Sequence, residues 1–410
     1  MSDHFSQTAI SLFDPAFRAN AYPAYAALRA ATPVARVPAP TGGAYVVVTA
    51  YDPALEVLTD RRFLIDPENV FTADELAALG WVETPLDRNL LNVDPPDHTR
   101  LRRLVQQAFT PKFIAALRPR IEQVAEELLD GIEARAQAIG RREVDLIGEF
   151  AFPLPLVVIA EMLGVPAAER ERFREWSDAV VSLANPTSPS DETLAKMGEF
   201  AAYCQDLSGR KRREPTDDLI SGLVQIEDAG DQLSEQELLS MVLLLIVAGH
   251  ETTVNLIGSG TLALCQHPDQ LARLRADPAL LPAAVEELLR YHSPVENAIT
   301  RFTGDAVVLG GEPIARGEAV IAVLAAANRD PARFPDPAAL DLGRADNRHL
   351  AFGKGTHMCL GAPLARLEGA VGFAALLRRF PDLRLASPPT DLAWRPNFLL
   401  RGLIRLPVAF

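Results

Sequence analysis

One cysteine in this chain stands where its sulfur can do chemistry. Phe352-Gly353-Lys354-Gly355-Thr356-His357-Met358-Cys359-Leu360-Gly361 is a glycine-rich stretch, and Ala362-Pro363-Leu364-Ala365-Arg366 after it resumes helical periodicity. The loop therefore delivers Cys359 to a helix start, where the helix field and loop amides favour a thiolate over a thiol. Three uses of a single thiolate compete: a nucleophile, one ligand of a zinc site, or the axial ligand of a haem. A nucleophile needs a base and an orienting partner, and only His357 is near in the sequence. Zinc needs further ligands at short spacing, and His357-x-Cys359 is not a usual pair. A haem needs only the one thiolate. Cys204, Cys265 and Cys359 are the only cysteines, odd in number and far apart, which excludes a disulfide framework and a Cys-x-x-Cys metal site.

A second group sits inside an apolar segment. Ala248-Gly249-His250-Glu251-Thr252-Thr253 puts a glycine, a carboxylate and two β-branched hydroxyls where a helix has little use for them. Such local breaks fall where function sits. A carboxylate can relay protons, and a hydroxyl can hold a small polar ligand or water, so Glu251 and Thr252 suit proton delivery. Leu244, Ala248 and Thr252 share a helix face and offer small side chains and one hydroxyl to a flat ligand. The structural alternative is a glycine kept for helix packing and a threonine bonded to the preceding turn. His250 is assigned no role.

The elements that must position these groups are mostly helices. Ser234-Glu235-Gln236-Glu237 is a capping box, and the periodic apolar run after it continues to about Cys265. Roughly 30 residues of helix span about 45 Å, enough to cross the molecule. Further helices are expected over Pro111 to Ala136, Ala167 to Ala184 and Thr193 to Arg213. Strand signals are few: Ala44 to Thr49, Ala306 to Leu309 turning at Gly310-Gly311 into Pro313-Ile314, and Glu318 to Val323. No repeat or linker interrupts the chain, so residues 1–410 are expected to form one mainly α domain with small β-sheets. At 48% hydrophobic and 23% charged residues, the composition is that of a folded protein and excludes disorder. A net charge of −14 argues against a nucleic-acid binder. The longest apolar run, Met241 to Ala248, falls short of the roughly 20 residues that cross a bilayer. Met1-Ser2-Asp3-His4 opens neither a signal nor an anchor, so no membrane span and a cytoplasmic location are expected.

The decapeptide ending at Gly361 resembles the cytochrome P450 signature Phe-Gly-x-Gly-x-His-x-Cys-x-Gly at every fixed position. Ala248-Gly249-His250-Glu251-Thr252 is similar to the family's oxygen-activation segment, and Glu287-Leu288-Leu289-Arg290 to its Glu-x-x-Arg. Asn328-Arg329-Asp330-Pro331 through Phe334-Pro335-Asp336-Pro337 to Arg344 resembles its meander. His98-Thr99-Arg100-Leu101-Arg102 looks like the His-x-x-x-Arg of its haem-contacting helix. The landmarks come in order and span nearly the whole chain, which is most similar to soluble bacterial members, some of which hydroxylate macrolides, steroids or vitamin D.

The resemblance implies a cytochrome P450 fold with the long central helix over a buried haem b. It makes Cys359 the iron ligand and gives the haem propionates to His98, Arg102, Arg301 and His357, since buried anions need cationic or hydrogen-bonding partners. Glu287, Arg290 and Arg344 become a structural charged triad, while Glu251 and Thr252 become the proton-delivery pair. Candidate walls of a hydrophobic substrate site are Leu244, Val247, Ala248, Val295, Ala298, Leu399 and Leu400, for a lipophilic macrolide or steroid-like molecule. The stretch Phe71 to Leu91 resembles the family's variable loop, and the turn Asn185 to Ser190 falls at its lid. With no flavin or iron–sulfur motif, electrons must come from a ferredoxin or flavodoxin served by an NAD(P)H-dependent reductase. Arg100, Arg103, Lys354 and Arg366 could form a basic docking patch for it. A monomer is the family's default. The expected reaction is hydroxylation by dioxygen activation. Its alternatives are epoxidation, dealkylation or oxidative coupling on the same fold, or a non-catalytic haem-binding sensor.

Overall fold

The computed structural model describes residues 17, 20–39, 42–81, 88–173, 175–176, 190–228 and 230–410. The Asn185 to Ser190 turn apart from its last residue, the centre of the Phe71 to Leu91 stretch and the end of the Ala167 to Ala184 segment lie outside them.

The organising element is the helix Glu235–Gln266. Its start is fixed by the capping box, in which the Ser234 hydroxyl accepts from the Glu237 amide at 3.2 Å and the Glu237 carboxylate accepts from the Ser234 amide at 2.8 Å. From Thr253 to Leu264 every residue is buried. By length and composition this helix passes the test for a membrane span, contrary to the expectation from its longest unbroken apolar run. However, 67% of its most apolar window is buried inside the protein, which is how a core helix earns the same composition. The helix Ala362–Arg379, which follows the cysteine loop, packs against it. The two approach closely because Gly260 has no side chain: a Cβ there would come within 2.5 Å of the Phe373 ring.

Asp191–Arg213 begins at a Ser190 cap, two residues before the expected start. The Pro111 to Ala136 expectation resolves into two helices, Pro111–Ala116 and Arg118–Ile139. Pro119 is the reason: a proline lacks the N–H that would continue a helix and fits the first turn of a new one. Ala167–Glu169 is a 3₁₀ turn leading into helix. The strands form small sheets only. One runs in the order Val34–Pro38, Ala44–Val48, Ala319–Ala322, Arg301–Thr303, Phe63–Leu64, with Val320 parallel to Val46. Val307–Leu309 and Glu312–Ile314 form the expected hairpin. A further three-stranded sheet joins Arg384–Leu385, Pro407–Ala409 and Glu143–Asp145, which alternation had not marked because the strands are two or three residues long.

Candidate active site

The cysteine loop is held by its own backbone. The Cys359 amide donates to the Phe352 carbonyl at 2.9 Å and the Gly353 amide to the Leu350 carbonyl at 2.8 Å. Gly355 has φ +75°, and a Cβ on it would come within 2.5 Å of the Leu58 carbonyl oxygen, so only glycine fits. The Cys359 side chain is accessible, yet the surrounding protein strips the sulfur of most of its water. That burial pushes the thiol up from its ordinary value. The amides of Gly361 and Ala362 and the guanidinium groups of Arg102 and Arg366 pull the other way without prevailing. The donors that the helix start and the loop supply are thus in place, and desolvation works against them.

Around the loop lies a group of basic side chains from three elements. His98, on the helix Asp97–Ala108, stacks against His357 with ring centroids 4.1 Å apart. Arg102, one turn further, donates to the Met358 carbonyl at 2.9 Å. Arg301, at the start of its strand, is 5% exposed and donates to the Phe63 carbonyl at 3.2 Å. Both ring nitrogens of His98, Nδ1 of His357 and Nε of Arg301 are buried without a hydrogen-bond partner. Burial and the neighbouring positive charges hold His357 down to about 3, and burial lowers Arg301 to about 10. Orphaned donors in a buried positive site are the arrangement that anions complete. A haem's two propionates and its iron, facing these donors and Cys359, fit the residues present. Zinc does not: among the described residues no three His, Cys, Asp or Glu side chains converge.

In the middle of the long helix one strip is open. Leu244, Val247, Ala248, Gly249 and Thr252 are all accessible in part or more. The Thr252 hydroxyl donates to the Ala248 carbonyl at 2.9 Å, the bond to the preceding turn that was its structural alternative. Its oxygen keeps lone pairs for a ligand. Glu251 is 1% exposed, and its carboxylate lies 3.5 Å from Nε of Arg395. His250 turns away, with Nδ1 against the Ile246 carbonyl and its ring edge-on to Phe152; burial lowers it to about 4 and keeps it neutral. Among the candidate walls, Val295 and Leu400 face each other in an antiparallel bridge, and the Leu399 carbonyl accepts from Glu296 and Asn297. Ala298 follows three residues on, its amide donating to the Ala322 carbonyl at 2.9 Å, whereas Leu244, Val247 and Ala248 come from the long helix.

Two residues of this neighbourhood were not found in the sequence. Arg395, in Trp394-Arg395-Pro396, carried no spacing signal that ties it to Glu251. Glu368 did: it falls in line with Leu364, Val371 and Ala375 on the buried face of its helix, and is 1% exposed. Its Oε2 accepts from the Thr253 hydroxyl at 3.0 Å, and burial pushes the carboxyl up to about 8.

The charged triad braces the cysteine loop. Glu287 receives two fully buried bonds of 2.8 Å from Arg290 and a partly buried one of 3.1 Å from Arg344. Arg290 also donates to the carbonyls of Asn328, Pro337 and Ala339, and Asn328 accepts from the Leu350 amide at the loop's entrance. The expected basic patch is weaker than its residue count. Arg100 is paired with Asp231 and Glu237, Arg103 lies 3.8 Å from Asp231, and Arg366 makes a two-point contact with Glu286.

The profile of the cytochrome P450 family matches residues 191–390. The monooxygenase PikC of Streptomyces venezuelae is 47% identical over 393 residues, covering 96% of this chain and 91% of its own. Vitamin D(3) 25-hydroxylase of Pseudonocardia autotrophica is 45% identical over 398 residues, covering 97% and 95%. The solved structure of the bacillaene polyketide synthase P450 PksS of Bacillus subtilis 168 superposes with a TM-score of 0.89 at 42% identity, covering 98% of this chain and 99% of its own. The chain belongs to the cytochrome P450 family and is one of its monooxygenases, an enzyme whose family implies a haem.

Proposed function

We propose that this enzyme hydroxylates a lipophilic small molecule of macrolide or steroid-like class in the cytoplasm, using haem b held by Cys359 and electrons from a separate ferredoxin or flavodoxin with its NAD(P)H-dependent reductase. The observation that carries the haem assignment is the cluster of orphaned nitrogens on His98, His357 and Arg301 beside an accessible Cys359. The vitamin D(3) 25-hydroxylase and a 6-deoxyerythronolide B hydroxylase of Saccharopolyspora erythraea support the substrate class, the latter at 42% identity.

Cys359 would hold the iron, with Arg102 and the Gly361 and Ala362 amides steadying the thiolate. His98, Arg102, Arg301 and His357 would hold the propionates. A bound haem supplies the reductive activation of dioxygen, with one oxygen atom entering a C–H bond and the other leaving as water. That balance consumes two electrons and two protons, and the chain's own task is to bring the protons. Glu251 passes them inward from the Arg395 side, and the Thr252 oxygen holds the last water in line beside Ala248. The aliphatic walls Leu244, Val247, Val295, Ala298, Leu399 and Leu400 exclude water and orient the ligand without hydrogen-bonding it.

The test is the absorption spectrum of purified protein, reduced and exposed to carbon monoxide, followed by titration of the ferric protein with macrolides and steroids. A strongly red-shifted Soret band is expected, with a high-spin shift for at least one compound class. Protein that takes up no haem sinks the proposal; haem uptake with no response to either class sinks the substrate assignment alone.

A further inference from the structure

Two of the proposed pocket walls are fastened to each other from behind. Val295 and Leu400 pair across an antiparallel bridge, with the Glu296 amide donating to the Leu399 carbonyl at 2.9 Å and the Arg401 amide to the Pro294 carbonyl at 2.9 Å. Side chains alternate along extended backbone, so the neighbours Glu296 and Arg401 project to the face opposite Val295 and Leu400. There the Glu296 carboxylate lies 3.7 Å from Nη1 of Arg401, the pair being 0% and 4% exposed. The other carboxylate oxygen takes a 2.6 Å hydrogen bond from the hydroxyl of Tyr25, on the helix Ala21–Ala31. Trp394 and Tyr22 cover the Arg401 guanidinium with ring centroids 4.0 and 5.1 Å away.

We infer that Tyr25, Glu296 and Arg401 are positioning residues that set the separation of the Val295 and Leu400 walls, and with it the size of ligand the site admits. This rests on the reading of those residues as pocket walls. The backbone bonds already join the two segments, so the charge pair adds little to their association. It restrains their tilt, because a buried carboxylate and guanidinium that part lose the counter-charge that offsets their desolvation. Tyr25 locks the carboxylate from a third element, 271 residues away in sequence, and so lets the N-terminal helix act on ligand size without touching the ligand.

The experiment uses haem-loaded protein and three azoles that ligate the iron directly: imidazole, 1-phenylimidazole and clotrimazole. Imidazole reports access to the iron; the bulkier two report the walls. Tyr25→Phe keeps the ring and removes the hydroxyl. It is expected to leave imidazole affinity unchanged and lower the clotrimazole-to-imidazole Kd ratio by about fivefold as the walls part, with 1-phenylimidazole between. Glu296→Gln should move the ratio the same way, and if it does not fold, Tyr25→Phe decides. An unchanged or higher ratio overturns the inference, whatever happens to thermal stability, which a merely structural bond would also lower. Leu400→Phe, placed in the wall itself, should raise the ratio. If it does and Tyr25→Phe does nothing, only the positioning role falls. If Leu400→Phe does nothing, the wall reading falls and takes this inference with it.

Discussion

Oε1 of Glu251 lies 3.5 Å from Nε of Arg395, which ties the carboxylate at the middle of the long helix to the C-terminal segment. Glu251 is buried while the Arg395 side chain is 35% exposed, so the pair leads from the interior toward water. A carboxylate here can carry a proton that a carboxamide cannot. Glu251→Gln is expected to lower product formation by about 100-fold while haem content and ligand binding stay unchanged, in the range of a lost acid–base group. Steady-state turnover beside a spin-state titration checks this; turnover within a few-fold of the parent removes Glu251 from the proton path.

Thr252 donates to Ala248 and keeps its oxygen lone pairs toward the open strip of the helix. Thr252→Ala deletes that oxygen and frees the carbonyl behind it, but touches neither the cysteine loop nor the basic cluster. The expected result is the same NAD(P)H consumption with about tenfold less product and the missing electrons recovered as peroxide. Thr252→Ser, which restores the oxygen, should recover most of the coupling. Equal coupling in Thr252→Ala would assign the hydroxyl to the helix alone.

Much of this was legible in the sequence, for reasons that differ by element. The long helix announced itself through a capping box and an apolar period, both local signals, and the structure keeps both. The cysteine loop was legible because its glycines are forced: Gly355 answers to a positive φ and to the Leu58 carbonyl. Arg301 could be assigned only by resemblance, since nothing in a three-residue strand says which side chains will surround it. The burial of the Cys359 sulfur could not be read in the sequence, because helix geometry is local whereas desolvation depends on the whole fold. Arg395 was invisible for the same reason, as its meeting with Glu251 spans more than a hundred residues and leaves no periodic trace. The paired arginines of the expected basic patch show the converse: their acidic partners, Asp231, Glu237 and Glu286, sit far along the chain.

Glu287 joins two arginines and is itself fully buried. Removing the carboxylate leaves the fully buried Arg290 guanidinium without its counter-charge, which costs about 3–5 kcal/mol. Because Arg290 also holds Asn328, and Asn328 the Leu350 amide, the damage should reach the cysteine loop. Glu287→Ala is expected to give protein with little or no haem, read as Soret absorbance per protein, at expression temperatures where the parent is fully loaded. Full loading would show that the loop forms without the triad.

Glu368 offers a prediction in which pH sets the sign. In the folded protein burial raises its carboxyl from the ordinary glutamate range to about 8, so it stays protonated at neutral pH and the Thr253 hydroxyl bonds a neutral acid. Below about pH 4 both folded and unfolded chains carry the proton, and the group is without effect on stability. As pH rises through the unfolded value, the unfolded chain releases its proton and the folded chain does not, so unfolding becomes easier. The penalty grows up to about pH 8, reaching roughly 3 kcal/mol at pH 7, and levels off above that. Glu368→Gln keeps the shape and the acceptor for Thr253 but never ionises, so it escapes the penalty. Relative to the parent, the variant should be no more stable near pH 4 and increasingly more stable between pH 5 and 8, as measured by urea unfolding across that range. A difference that does not change with pH would mean that Glu368 reaches water or a proton acceptor in the folded protein.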